Sequence, residues 1–321
     1  MPMATKKNPI REIVEKVSAE RDADIILYNG GIFRPCDETL IRECISRGQT
    51  GRRKNVVPIL VTGGGDPDAA YRIARCLQRH YEKFTLYVSG ACKSAGTLIA
   101  IGAHELLISD HGELGPLDIQ MAKKDEFFGS QSGLTVSTAL EALESRAFQA
   151  VERMFIEIES NTGGILSVQT ATDLASKTVV GLYAPIAGQI DPMHVGEAAR
   201  ALVIADAYGT RLNQHSGNLA SPTALNQLYT SYPSHGFVID REEARSLFKD
   251  VSEPNENELA LVEALGAMGR RMNGAQAMPD PDKTVVFLTE PVQPEKPRKA
   301  ANEEDRNGDE GDKSPTADAA A

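Results

Sequence analysis

Residues 56–96 read VVPILVTGGGDPDAAYRIARCLQRHYEKFTLYVSGACKSAG, and the order of patterns in that run decides the fold. VVPILVT at 56–62 is an apolar, β-rich stretch that stops at Gly63, Gly64 and Gly65. Asp66 then stands where a helix needs a capping carboxylate, and Pro67 is harmless in a first turn, whose N–H groups have no intrahelical partner. Over 66–82, Ala70, Ile73, Ala74 and Leu77 recur at helical spacing and place an apolar stripe on one face. FTLYVS at 84–89 is a second strand, and GACKSAG at 90–96 carries it into another helix start. Strand, glycine turn, helix and strand follow one another without a spare segment.

Working outward, ADIILY at 23–28 and HELLIS at 104–109 supply two more short apolar runs. Strands alternating with helices predict a layered α/β core whose strand-end loops carry function. From 135 the pattern changes. Val136, Leu140, Leu143, Ala147, Val151, Phe155 and Ile158 mark one long amphipathic helix, read as an outer arm or an oligomer contact. Shorter helices are expected near 170–182, 195–208, 222–230, 240–248 and 255–272, with Asp240 and Glu243 at capping-box spacing. KTVVFLTE at 283–290 suits an edge strand. The expected division is an N-terminal extension at 1–22, a catalytic domain with its arm at 23–250, and a C-terminal helix and short strand at 251–290. Residues 291–321 form a Pro- and charge-rich tail too poor in apolar side chains to offset chain ordering.

The chain has 321 residues, 41% hydrophobic, and a formal net charge of -11. That charge argues against a broad nucleic-acid-binding face. Cys36, Cys44, Cys76 and Cys92 form no CxxC pair, and the dispersed histidines make no HExxH, so neither a disulfide framework nor a metal site is expected. The start, MPMATKKNPI, has no signal-peptide core, and no apolar run reaches membrane-spanning length. A cytoplasmic protein is the expectation, with peripheral membrane contact left open.

The chemistry centres on Ser94. A serine hydroxyl attacks poorly unless a base removes its proton and donors already in place meet the oxyanion. Ser94 follows a strand at a helix start, and the N–H of Ala95 is there to donate. The bare backbone at Gly63–Gly65 can supply a second donor if the two turns converge. GGGD lacks the spacing of a dinucleotide or phosphate loop, and CKSAG is not GxSxG, so neither motif assigns a function. A helix cap is the plain alternative for Ser94. Cys92 is the rival nucleophile by reactivity, but no histidine beside it would activate the thiol.

VTGGGDPDAAYRIARCL at 61–77, SGACKSAGTLIAIGAHELLIS at 89–109 and GELGPLD at 112–118 together resemble the Clp-protease/crotonase superfamily. They are most similar to its signal-peptide-peptidase-A-like branch and, within it, to the serine dehydrogenase proteinases. YPSHGFVIDREEARSLF at 232–248 resembles the C-terminal portion of that last family. The resemblance implies a repeated ββα core, helical arms that build closed homo-oligomers, a polypeptide substrate and no organic cofactor. It places the nucleophile at Ser94 and the oxyanion donors at Gly64 or Gly65 and at Ala95. Peptide hydrolysis through an acyl-enzyme leads, with an inactive oligomeric scaffold or peptide-binding module second and an acyl-thioester enzyme third.

The base is the open position. Ile119 stands where the Clp pattern has its histidine, and FIEIESNTGG at 155–164 has no lysine where the peptidase-A pattern has one. Lys177 in TDLASKTVV is the leading later candidate, since desolvation favours a neutral amine. His111, with Asp118 to orient it, is the alternative. Lys93 is adjacent to Ser94, but successive side chains at a helix start diverge. Lys123 and Lys124 read as an exposed pair, and His104 and His235 as turn or strand-end residues.

Overall fold

A computed structural model describes residues 9–117, 120–122, 130–234, 236–272 and 280–292, with backbone only over 120–139 and at 194, 198 and 201. The helices are α1 (Pro9–Arg21), α2 (Arg34–Thr50), α3 (Pro67–His80), α4 (Ala95–Ile101), α5 (Gly133–Thr162), α6 (Val168–Ala187), α7 (Pro192–Ser216), α8 (Ala224–Thr230), α9 (Arg241–Leu247), α10 (Glu256–Leu265), α11 (Ala267–Arg270) and α12 (Pro281–Thr284). The strands are β1 (Ala23–Asn29), β2 (Asn55–Thr62), β3 (Thr85–Cys92), β4 (Glu105–Ile108), β5 (Glu113–Leu114), β6 (Gln120–Ala122), β7 (Ser130–Ser132), β8 (Val251–Ser252) and β9 (Val285–Phe287). The expected acidic tail beyond 292, and with it Asp118, Lys123, Lys124 and His235, lies outside the described residues.

The protein has an α/β fold with a central mixed sheet. Its order is β8-β4-β3-β2-β1-β9, with β5 also pairing β3. β8, β4, β3, β2 and β1 run parallel, and β9 closes one edge antiparallel to β1. Alternate side chains of one strand serve opposite layers, which is why these strands read as unbroken apolar runs. Ile26, Tyr28, Val56 and Leu60 pack with Leu40 of α2, Ile73 and Leu77 of α3, Leu98 of α4 and Leu212 of α7. Ile25, Leu27, Val57, Ile59 and Tyr87 pack on the other face with Val14 and Val17 of α1 and with Leu261, Val262 and Leu265 of α10.

The cap at Asp66 forms as the sequence predicts, its side chain accepting from the N–H of Asp68 at 2.8 Å. Asp240 caps α9 in the same way through the N–H of Glu243 at 2.9 Å. Between β1 and β2 the apolar pattern announces no helix, yet α2 fills the space. Its inner face is built from Cys36, Asp37, Leu40, Cys44 and Arg47, a mixture that periodicity does not recognise. Arg47, 3% exposed, reaches buried Asp24 at 3.3 Å. Helices α6 and α7 each pack on α5 to form an arm, and the C-terminal half of α7 joins it to α3 and α4.

Candidate active site

The chain leaves β2 at Thr62 and β3 at Cys92, neighbouring strands with Thr62 opposite Cys92, so both turns open at one end of the sheet. Lys93 N–H donates to Thr62 O at 3.0 Å and ties them together. Gly64 lies against the serine: a Cβ there would sit 2.9 Å from Ser94 Cβ and 3.4 Å from Ser94 Oγ. Its φ of 110° is one that glycine alone takes without strain. The two turns expected to converge do so.

Ser94 has φ 51° and ψ -112°, outside the regions where L-residues are comfortable. Holding a non-glycine residue there costs on the order of 1–3 kcal/mol, and such strain collects at functional sites. The residue occupies the N-cap position of α4, but its side chain makes no capping hydrogen bond. The helix-cap explanation for a serine at this position is therefore absent. Ser94 is only 8% exposed.

Of the glycine donors, Gly64 is already engaged, its N–H donating to Thr62 Oγ1 at 3.0 Å. The next residue differs. Ile32 bridges this turn through Gly64 O and the N–H of Asp66, so the Gly65 N–H takes no part. At Ala95 the N–H is one of the first-turn donors that a helix leaves without an intrahelical acceptor. Among the described residues neither the Gly65 nor the Ala95 N–H has an acceptor in the chain.

Lys93 is committed elsewhere. Its Nζ donates to Leu114 O and Phe237 O at 3.1 Å each and pairs with Glu113 Oε1 at 3.2 Å. Three acceptors match the three ammonium protons, so Lys93 anchors β5 and the 237–239 segment beside the serine. Thr97 Oγ1 adds a bond to Gly115 O at 2.7 Å, and Ile239 and Leu114 exchange backbone bonds. The sequence motif GELGPL is thus the wall of the Ser94 turn. Burial pushes the Cys92 thiol up to about 12, with Lys93 opposing, and the residue is fully enclosed. It is no thiolate nucleophile. His104 accepts from the Phe84 N–H through Nδ1 at 3.1 Å, and burial, with His215 nearby, holds it below the ordinary histidine range. Its role is to join β3 to β4.

The two candidate bases lie on different elements. His111 is exposed in the turn after β4, at the strand ends. Lys177 is exposed on α6, whose main packing partner is α5 in the arm. Position 118, the expected orienting carboxylate, is not described. Among the described residues there is no cluster of potential metal ligands, and no helix is long and apolar enough to cross a membrane.

No family model and no curated protein matches the chain. Solved structures of the 1510-N membrane-bound stomatin-specific protease do. Its serine-to-alanine mutant shares 15% identity at a TM-score of 0.43, covering 75% of this chain and 83% of its own. The lysine-to-alanine mutant in complex with a substrate peptide shares 16% identity at a TM-score of 0.43, covering 83% of this chain and 86% of its own.

Proposed function

We propose that the protein is a serine peptidase with a Clp/crotonase-like core, cleaving polypeptides through an acyl-enzyme on Ser94. The observation that carries this reading is the strained Ser94 backbone, set against Gly64 with its hydroxyl unused as a cap. Ser94 Oγ attacks the scissile carbonyl and passes its proton to the base. The N–H groups of Gly65 and Ala95 receive the oxyanion, the C–N bond breaks, and the amine leaves with that proton. Water then attacks the acyl-enzyme and restores the hydroxyl.

The base in this reading is Lys177 of a second copy of the chain. On α6, Leu174 and Val180 lie one turn before and after Lys177, and they are 48% and 62% exposed. An apolar surface around a lysine is suited to docking, and removing water from an ammonium favours the neutral amine that a base needs. The homo-oligomer and the catalytic base are then one requirement. His111 of the same chain is the competing base.

Mixing two inactive variants tests the arrangement. Ser94→Ala and Lys177→Ala are each expected to lose peptide hydrolysis by at least about a hundredfold, and a mixture of the two to recover part of it. Recovery requires a serine from one chain and a lysine from another. Full activity of Lys177→Ala with loss in His111→Ala returns the base to the same chain. Failure of a fluorophosphonate to label Ser94 in the wild-type assembly favours the inactive scaffold.

A further inference from the structure

The C-terminal segment Gly266–Met272 lies across the ends of three strands. Asn29, at the end of β1, donates through Nδ2 to Met268 O at 2.5 Å and Arg271 O at 2.8 Å. Ser89 in β3 donates to Gly269 O at 2.5 Å. Next to it, a Cβ on Gly90 would lie 2.2 Å from Arg270 O, so only glycine lets the segment pass. Asn29 is 3% and Ser89 0% exposed, and buried side chains of this kind require such partners. The backbone of the strap is therefore firmly held as far as Arg271.

Its last contact is of another kind. The N–H of Gly63 donates to Met272 Sδ at 3.2 Å. Gly63 is exposed, Met272 half-buried, and the next residue, Gly64, faces Ser94. A thioether is a weak acceptor on a flexible side chain, whereas a peptide carbonyl is a strong one. A backbone N–H at the open end of the strands, one residue before the glycine that meets the serine, is thus occupied by a group that a peptide can outcompete.

We propose that the Gly63 N–H is a subsite for a main-chain carbonyl of an extended polypeptide, and that Met272 caps it when no peptide is bound. The strap stays in place while the methionine side chain swings off. The subsite deepens the peptidase reading, since it gives the substrate a register beside Ser94. Peptide binding itself does not depend on turnover.

The test uses the full-length assembly carrying Ser94→Ala, so that nothing is cleaved, and fluorescein-labelled unfolded casein read by anisotropy. Adding Met272→Ala is expected to tighten binding about fivefold, roughly the worth of one modest hydrogen bond. Hydrogen exchange in the proteolytic fragment spanning Gly63 should speed up in that variant and slow again when casein is added. Met272→Leu keeps the packing volume and removes the acceptor, so it should also speed that exchange with the fold retained. Unchanged or weaker casein binding in Met272→Ala, no binding in any variant, or exchange at Gly63 indifferent to casein overturns the subsite. Fluorophosphonate labelling of the Ser94-containing chain is scored separately. Its absence removes the peptidase reading, and the casein result still decides the subsite.

Discussion

The sheet and the arm use the same sequence signal with different results. In α3 the predicted stripe of Ala70, Ile73, Ala74 and Leu77 is buried to 2% exposure or less against the strands. In α5 the described members of the predicted stripe, Leu140, Leu143, Ala147, Val151, Phe155 and Ile158, are only half-buried, against α6 and α7. Phe148 and Ile156 lie off that stripe and remain 75% and 57% exposed, and Leu182 of α6 and Val203 of α7 are 60% and 67% exposed. Helical spacing therefore identifies which side chains share a face but not what covers it. The sheet together with α2, α4 and α7 encloses the α3 stripe, whereas α6 and α7, each packed on α5, leave apolar residues facing outward.

Truncating one leucine in each region is the strongest way to break this contrast. Leu77→Ala should cost about 3 kcal/mol, because fully enclosed positions lose both burial and packing. Leu182→Ala should stay within about 0.5 kcal/mol for the dissociated chain. Denaturant unfolding measures both. Equal losses would mean that the arm leucine is buried in the isolated chain.

The next effect belongs to the end of the sheet away from the serine. Glu105, at the start of β4, receives Lys83 at 2.6 Å, Arg21 at 3.3 Å and Ser252 Oγ at 3.1 Å. Burial alone would push its carboxyl up, but Lys83, Arg21 and Ser252 together hold it below the ordinary glutamate range. A depressed carboxyl stabilises the fold above the unfolded-state value and loses that contribution as pH falls through the folded one. Glu105→Gln should therefore lower stability by about 2 kcal/mol at neutral pH and much less below about pH 4. Thermal melts across that range read it, and a deficit that persists at low pH would contradict the charge argument. No corresponding change is expected in the arm.

The smallest effect lies at the joint between the two regions. Tyr208 of α7 stacks on Tyr71 of α3 with ring centroids 4.3 Å apart and donates its hydroxyl to Asp68 Oδ1 at 2.7 Å. Asp68 is in the first turn of α3, close behind the glycine turn. Tyr208→Phe keeps the stack and removes the hydrogen bond, an expected loss of about 1 kcal/mol. Faster hydrogen exchange at the start of α3, with β1 and β2 unchanged, would place the effect at the joint. Uniform loss across the sheet would count against a local latch.

Composition and spacing were enough for β1 to β4 and α3, because strands buried on both faces and a capped helix leave continuous local signals. The sequence also singled out Ser94, the pair Gly64 and Gly65, and Ala95, each beside a strand end. Helix α2 escaped because its inner face holds cysteines, an aspartate and an arginine, which become core-compatible only when Arg47 meets Asp24. Gly90 could be seen as small but not explained until the carbonyl of Arg270 lay against it. Local residues therefore determined which segments could be strands, helices and tight turns. Only the tertiary structure decided the positive φ of Ser94, the engagement of Lys93, the capping of Gly63 by Met272 and the exposure of Lys177, because each depends on groups that distant parts of the chain bring into contact.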